Sequence, residues 1–204
     1  MAKLDHIMYA TPDLDAGIAK IAELTGITPA FGGTHPGNGT RNALMSLGAD
    51  QYLEIIAPDP DQDLSGTMGE ELIQHGGSGV RAWAVAATDL TVVSTVGRKH
   101  GLTPQPIIDM NRTTPDGVRL DWQICFLGGH AMVPFFIDWK DSIHPAQTTP
   151  TGATLLDFTV SLPEPAEFAA FMEALGIEVS VDTGPEAFSA RLQTPLGVAE
   201  LSNW

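Results

Sequence analysis

The chain has 204 residues, of which 43% are hydrophobic, and it carries a formal net charge of −15 with a single cysteine, Cys125. This length and composition are typical of a globular protein with its own core. One cysteine excludes an internal disulfide, and the negative charge opposes binding to nucleic acid or to an anionic membrane surface. No apolar run reaches the length of about 18 residues that crosses a membrane, so we expect a cytoplasmic protein.

The first strand and helix follow from the pattern of apolar residues near the N-terminus. Residues 5–9 predict a strand that contains His6, and residues 11–13 predict a turn and a helix cap. Apolar side chains then recur at helical spacing over residues 14–24, and Gly26 is expected to end the helix.

The same strand and helix pattern returns twice in the chain. The three predicted helices end at Gly26, Gly101 and Gly176, spaced 75 residues apart. Such a period indicates a duplicated supersecondary unit rather than a coincidence among ordinary strand and helix pairs. We therefore predict one compact unit of three βαβββ modules, at residues 1–60, 80–139 and 153–204, with a connector at 61–79 and a linker loop at 140–152.

The first module is predicted to close with a hairpin of residues 43–47 and 51–56. In its second strand Tyr52, Glu54 and Ile56 share one face. A carboxylate in such apolar surroundings is costly to bury alone, so Glu54 needs a metal ion, an arginine or a proton as its partner.

Residues 32–42 predict a glycine-rich loop, which lets the backbone approach a ligand closely. The loop matches neither the phosphate-binding nor the dinucleotide-binding glycine pattern, so we expect no nucleotide cofactor. His35 lies in this loop as a candidate substrate contact or as a solvated side chain.

The segments LDHIMYATPDL, HPGNGTRNALMSLG, YLEII, VPFFIDW and HPA lie in a repeated βαβββ frame, with a histidine in the first strand and a glutamate in the last. This combination resembles the glyoxalase-like domain family of the vicinal oxygen chelate superfamily, over nearly the whole chain. The resemblance implies an α+β fold in which repeated βαβββ modules form a half-open, curved mixed sheet or barrel, with a third related module. It is specific for the fold and not for the reaction, because the superfamily includes isomerases, epimerases, dioxygenases, transferases and binding proteins.

The resemblance also implies that His6 and Glu54 lie side by side in the cup of the sheet, as catalytic residues or metal ligands. Together they would supply part of the ligand set of a divalent ion, one of Mn, Fe, Co, Ni or Zn. Without a metal, they would act as an acid–base pair or orient a ligand. Without the resemblance, His6 in an amphipathic strand is more typical of a hydrogen-bonded core histidine.

The remaining metal ligands would come from a partner module. Ala82 occupies the position that matches His6 in the second module, and alanine cannot bind a metal. Asp138, in the last strand of that module, is the first candidate for a third ligand. Asp157 and Glu200 are second choices, available if the third module pairs with the first.

Candidates for substrate binding come from the loops and strand ends around the expected cup. Strand alternation directs one of Arg41 and Asn42 inward, and Arg119 could pair either with a substrate carboxylate or with an ordinary surface acid. The full set of candidates is His35, Arg41, Asn42, Arg119, Trp139 and His144.

The leading functional hypothesis is a small-molecule enzyme, namely a metal-assisted isomerase, lyase or hydrolase that acts on a compact oxygenated substrate. The alternative is a protein of the same fold that binds or sequesters a small molecule without turnover. A third reading is a structural or regulatory module whose cup is filled by side chains. A homodimer is compatible with the sequence, which does not decide which modules pair to form the cup.

Overall fold

The computed structural model describes residues 2–114, 116–128 and 130–204. The helices are α1 (Leu14–Thr25), α2 (Met68–His75), α3 (Leu90–Lys99) and α4 (Ala166–Leu175), with a 3-10 turn at Pro145–Gln147. The strands are β1 (Lys3–Ala10), β2 (Ala30–His35), β3 (Thr40–Ser46), β4 (Tyr52–Pro58), β5 (Gly79–Ala86), β6 (Thr103–Pro104), β7 (Ile108–Thr113), β8 (Arg119–Cys125), β9 (Leu127–Gly128), β10 (Phe135–Asp138), β11 (Thr154–Leu162), β12 (Ser180–Thr183), β13 (Ala187–Thr194) and β14 (Gly197–Ser202). None of the helices described here is long and apolar enough to span a membrane.

The helix boundaries follow the capping residues in the sequence. Asp13 caps α1 by accepting a hydrogen bond of 2.8 Å from the backbone N–H of Ala16. The three predicted stop residues, Gly26, Gly101 and Gly176, have φ angles of 74°, 77° and 66°, the left-handed conformation that ends a helix. The predicted period of helix ends is therefore confirmed.

One large sheet combines the first two modules. Its strand order is β2-β3-β4-β1-β5-β10-β8-β7. In each half the first strand pairs in parallel with the last, β1 with β4 and β5 with β10, and the antiparallel pair of β1 and β5 joins the halves. The predicted α+β fold with a curved mixed sheet is confirmed, and the first module takes the second as its partner.

The two edges of this sheet curl toward each other. The guanidinium of Arg112 on β7 donates a hydrogen bond through Nη1 to the carbonyl oxygen of Gly32 on β2. Gly33 makes the approach feasible, because a Cβ atom there would stand 3.1 Å from the carbonyl oxygen of Thr113 and its φ angle is 144°. The sheet is thus close to a barrel, with an enclosed inner face.

The third module forms a separate sheet with the order β12-β11-β13-β14. Its βαβββ element order is as predicted, but β11 pairs with β12 and β13, so that β14 does not neighbour β11. This sheet and α4 pack on the outer face of the large sheet. The ring centroids of Trp83 and Phe158 are 5.3 Å apart, and those of Phe136 and Phe171 are 6.4 Å apart. All four side chains belong to one continuous apolar core.

Two sequence predictions differ from the structure in detail. Much of the expected glycine-rich loop at 32–42 is strand, because β2 continues to His35 and pairs with β3 through a bulge between Phe31 and Gly33. In the second module the sequence predicts a hairpin of residues 118–127 and 131–139, turned at Gly128 and Gly129. The structure has the antiparallel pair of β8 and β10 there, and Gly129 lies outside the described residues. Apart from the 3-10 turn, the linker at 140–152 is irregular.

Candidate functional site

The curled sheet encloses a cavity of about 210 Å³, which we call the cup. The first module contributes most of its polar lining, and the second module contributes most of its apolar lining. The polar side chains are His6, His35, Asn38, Thr40, Asn42, Tyr52 and Glu54, with Arg81 and Arg112 from the second module.

The parallel pair of β1 and β4 positions His6 and Glu54. His6 lies opposite Tyr52 and Met8 lies opposite Glu54, so that alternate side chains of both strands enter the cup. Nε2 of His6 is 3.6 Å from Oε2 of Glu54, and both side chains are buried. The structure thus brings together the two residues that the resemblance implied.

Asp5 joins this pair because β1 contains a bulge. Leu4 pairs with Val85 and His6 with Ala84, so Asp5 is an extra residue that regular alternation would direct to the other face. Its Oδ1 lies 2.6 Å from Nδ1 of His6. A carboxylate in this position orients the imidazole and directs Nε2 toward Glu54.

Asp5 is also the anchor of the segment that follows β10. Its Oδ2 accepts hydrogen bonds of 3.0 Å from Nε1 of Trp139 and 3.0 Å from Nε2 of His144. Burial opposes the charged form, but the hydrogen bonds from His144 and His6 outweigh it and lower the pKa of Asp5 to about 2. Asp5 is therefore an ionised carboxylate at neutral pH.

The ring of His6 is held by aromatic neighbours. It stacks on Tyr52 with 4.5 Å between centroids and contacts the edge of Phe135 at 5.4 Å. Burial raises the pKa of Tyr52 well above its usual value, with the charges of Asp5 and Glu54 acting in the same direction. The phenol therefore stays protonated and available as a donor in the cup.

Glu54 is fixed from its other side by Asn42 and His35. Its Oε1 accepts a hydrogen bond of 2.7 Å from Nδ2 of Asn42 and lies 3.8 Å from Nε2 of His35. Burial lowers the pKa of His35, against an opposing effect of Glu54. In a neutral His35 the network assigns the proton to Nδ1, which donates to Oγ1 of Thr40 at 3.0 Å, and Nε2 accepts from Asn42 at 3.2 Å.

Arg112 is a buried cation that the sequence analysis missed. It is 5% exposed and lines the cup from β7, and burial lowers its pKa. The sequence predicts a strand over residues 105–110, whereas β7 runs from Ile108 to Thr113. The alternation of Ile108, Met110 and Arg112, all of which line the cup, was the available signal.

The candidate substrate-binding residues divide into two groups. Asn42 and His35 line the cup, whereas Arg41, the neighbour of Asn42, does not. Trp139 lines the cup at its link to Asp5, where His144 also binds. Arg119 is elsewhere: its side chain is 64% exposed and pairs with Asp121 at 2.8 Å. The surface ion pair is therefore the role that the structure gives to Arg119.

The structure does not bring any of the predicted third metal ligands to His6 and Glu54. Asp138 is absent from the cup lining, between Ile137 and Trp139 that form part of it, and pairs with Lys140 at 2.7 Å. Asp157 and Glu200 belong to the separate sheet. Asp157 accepts hydrogen bonds of 2.8 Å from Thr159 and Ser180, and Glu200 lies 3.6 Å from Arg191.

The donor atoms of the described residues around His6 do not form a metal centre with three protein ligands. Among the described residues, no group of three or more histidine, cysteine, aspartate or glutamate side chains is arranged to hold an ion. His6 and Glu54 supply two ligands, and a further imidazole nitrogen beside Glu54, Nε2 of His35, already accepts a hydrogen bond from Asn42. These residues do not fit a centre with three protein ligands, and we assign no chemical step to a metal.

The curved sheet, built from two βαβββ halves around one cup, has the architecture of the vicinal oxygen chelate fold. Residues 4–176 match the family model described as a glyoxalase-like domain. The chain therefore belongs to the glyoxalase-like domain family, and the resemblance seen in the sequence is confirmed. No match was found among curated proteins.

Solved structures show the same fold at low sequence identity. A hypothetical protein from Staphylococcus aureus is 16% identical with a TM-score of 0.68, over 99% of this chain and 85% of that one. A hypothetical protein from Bacillus halodurans C-125 is 18% identical with a TM-score of 0.52, over 70% and 97%. A methylmalonyl-CoA epimerase in complex with methylmalonyl-CoA and NH4+ is 23% identical with a TM-score of 0.50, over 71% and 99%. At these identities the similarity shows the fold alone.

Proposed function

We propose that this protein is a small-molecule enzyme that moves a proton on a carbon atom next to a carbonyl group, as isomerases and lyases do. The observation that carries the proposal is the buried array of Asp5, His6 and Glu54 at the wall of an enclosed cup. Buried and mutually oriented titratable groups beside a cavity are typical of acid–base sites.

Glu54 is the candidate base, because its two oxygens have different surroundings. Asn42 holds Oε1, and Oε2 points toward His6 at 3.6 Å without a direct hydrogen bond. Removal of a proton from the substrate carbon by Oε2 leaves the electron pair on the enolate, with charge on the carbonyl oxygen. Return of a proton to the adjacent carbon, or to the other face of the same carbon, completes an isomerisation.

His6 is the candidate acid partner of Glu54. The carboxylate of Asp5 accepts a hydrogen bond from Nδ1 of His6. Nε2 of His6 is therefore the atom that exchanges a proton with the substrate or with Glu54. The phenol of Tyr52 lies beside this ring and stays protonated, so it is a suitable donor to the oxygen that gains charge. Because most of the cup lining is apolar, these interactions act in a medium of low polarity, where they are strong.

The test measures exchange of carbon-bound hydrogen for deuterium by proton NMR in D2O, on a panel of small 2-oxo acids, 2-hydroxy ketones and their esters. We expect exchange that depends on the protein and falls about 100-fold or more in Glu54→Gln, the range attributed to a positioned base. Glu23→Gln, a change at an exposed glutamate of α1, is the matched control and should leave the rate unchanged. Equal rates for wild type and Glu54→Gln would contradict the assignment of the base.

Each assay is repeated in EDTA and with added Mn, Fe, Co, Ni or Zn. A rate that is unchanged by chelation agrees with chemistry carried by the side chains alone. A rate that disappears in EDTA and returns with one ion would show that the substrate completes a metal shell begun by His6 and Glu54, and would overturn the side-chain-only account.

Non-catalytic binding is the second candidate function. It is favoured by the apolar lining that the second module contributes, which includes Trp122, Ile124 and Phe135. This candidate predicts ligands that bind without any hydrogen exchange, with the same affinity in wild type and Glu54→Gln. Exchange that requires Glu54 would exclude it.

A further inference from the structure

The charge of Arg112 is not balanced by a contact in the described part of the chain. Its one hydrogen bond runs from Nη1 to a neutral backbone carbonyl, that of Gly32, and no described carboxylate lies within 4.0 Å. Glu54 is close enough to influence its pKa but pairs with Asn42. A guanidinium has five N–H donors in a planar fork, so most of this fork remains for a ligand.

Arg112 is the basic side chain of the cup that lacks a carboxylate partner among the described residues. The protein has 25 acidic and 10 basic side chains. Among the described residues that line the cup, Glu54 is acidic and Arg81 and Arg112 are basic. Arg81 donates a hydrogen bond of 2.6 Å to Oε2 of Glu71, and the ionised Asp5 lies behind His6. Arg112 is therefore the cation without a partner among them. A buried cation in a strongly acidic protein has a clear use where an anion must be drawn in against the long-range field.

The structural role of Arg112 does not account for this arrangement. Its hydrogen bond to Gly32 ties the two edges of the sheet together, and a neutral glutamine or a backbone contact would make the same bond without burying a charge. Burial of an unpaired cation lowers the stability of the protein. Such a residue is useful where a ligand supplies the opposite charge. Arg112 therefore has the features of a binding residue as well as those of a clamp.

The side chains that line the cup with Arg112 indicate the chemistry of the rest of the ligand. Met110, Trp122, Ile124 and Phe135 line the cup and present apolar surface. Glu54 and His6 line the same cup from the other module, so a ligand held by Arg112 shares the cavity with the acid–base array. We infer that the substrate is a small carboxylate with an apolar substituent, of the 2-oxo acid type, whose carboxylate pairs with Arg112. This inference rests on the proposed function.

The experiment uses 2-oxo-4-methylpentanoate, its methyl ester and inorganic phosphate as probes. Their affinities for wild type, Arg112→Gln and Arg98→Gln are measured by isothermal titration calorimetry. We expect wild type to bind the acid at least tenfold more tightly than the ester, since one ion pair separates the two ligands. Arg112→Gln should remove this preference, and Arg98→Gln, a change at an exposed arginine of α3, should retain it.

Arg112→Lys guards against a glutamine variant that does not fold. The lysine keeps the charge but loses the fork, so it should restore part of the preference for the acid. Equal binding of acid and ester to wild type, or an unchanged preference in Arg112→Gln, would overturn the inference. Tighter binding of phosphate than of the acid would overturn the carboxylate in favour of a phosphorylated ligand.

Hydrogen exchange separates failure of this inference from failure of the proposed function. If the ester exchanges as fast as the acid and Glu54→Gln stops both, the carboxylate inference fails and the proposed function stands. If the acid binds through Arg112 without exchange in wild type, the proposed function fails for this ligand and the assignment of Arg112 stands.

Discussion

The two halves of the cup share one architecture but differ in chemistry. In the first half, β1 and β4 place His6 and Glu54 on the inner face. In the second half, the equivalent parallel pair of β5 and β10 places Ala82, Phe135 and Ile137 there. The duplicated frame therefore carries the acid–base groups on one side, and mostly apolar surface with two arginines, Arg81 and Arg112, on the other.

This difference shows how a duplicated fold divides its tasks. The frame fixes which strands lie side by side, and the side chains at the inward positions decide what each half does. In our proposal the first half performs proton transfer and the second half holds the substrate. Changes in the first half should then affect rate, and changes in the second half should affect affinity and stability.

The largest effect is expected when the first half loses the group that orients its histidine. Asp5→Asn should lower the exchange rate about 100-fold or more at unchanged affinity for 2-oxo-4-methylpentanoate, because the amide no longer fixes the tautomer of His6. The measurement is the NMR exchange rate as a function of pH, beside calorimetric affinity. A variant with the wild-type rate and pH profile would mean that Asp5 is only a structural anchor for Trp139 and His144.

The second half should respond in stability instead. Ile137→Ala removes a side chain that is 2% exposed, and it should lower the free energy of unfolding by about 2–4 kcal/mol. Val198→Ala, at a residue that is 52% exposed, is the control and should change it by less than about 0.5 kcal/mol. Urea unfolding measures both. A rate per bound ligand that collapses in Ile137→Ala would contradict the division between the halves.

Acid should weaken the protein through the first half. The pKa of Asp5 is lowered from 3.8 to about 2, so its contribution is complete above pH 4 and is lost as the pH falls toward 2. The shift corresponds to about 2 kcal/mol of unfolding free energy. Urea unfolding from pH 5 to pH 2 should show this loss in wild type and a shallower one in Asp5→Asn. Parallel curves for the two proteins would contradict the lowered pKa.

The smallest effect is expected in mild acid, from His35. Burial lowers its pKa below 6.5, so the unfolded chain binds the proton more readily and stability decreases as the pH falls below that value. His35→Gln should flatten this part of the profile. Chemical denaturation between pH 7.5 and pH 5 measures it, and a slope that is the same in His35→Gln would assign the loss to other groups.

Much of the fold was predictable because local signals agreed with the final pairing. Residues 5–26 carry the alternation, the cap and the glycine stop of β1 and α1. The inward direction of Tyr52, Glu54 and Ile56 also followed from alternation in β4. The partners of the third sheet did not, because element order does not specify which strands form hydrogen bonds.

The part of the site that was missed lies where regular patterns break. Asp5 is adjacent to His6, and regular alternation directs neighbours to opposite faces, so its contact with His6 depends on a bulge that the sequence does not mark. Arg112 lies beyond the apolar run that defined the predicted strand. Distances between Glu54, Asn42 and His35 depend on tertiary packing, which no local pattern encodes.

The bulge at Asp5 in β1 has a counterpart at Arg81 in β5. On the other strand of the central pair, Met8 lies opposite Ala82 and Tyr9 opposite Val80, so that Arg81 is the extra residue of β5. The alignment that matches His6 with Ala82 also matches Asp5 with Arg81. The irregularity thus recurs in both halves: each has one surplus position beside the cup, which is occupied by an acid in the first half and by a base in the second. Such positions are suitable for redesign, because a substitution at Arg81 changes the charge of the cup lining and leaves the inward-facing residues of β5 in place.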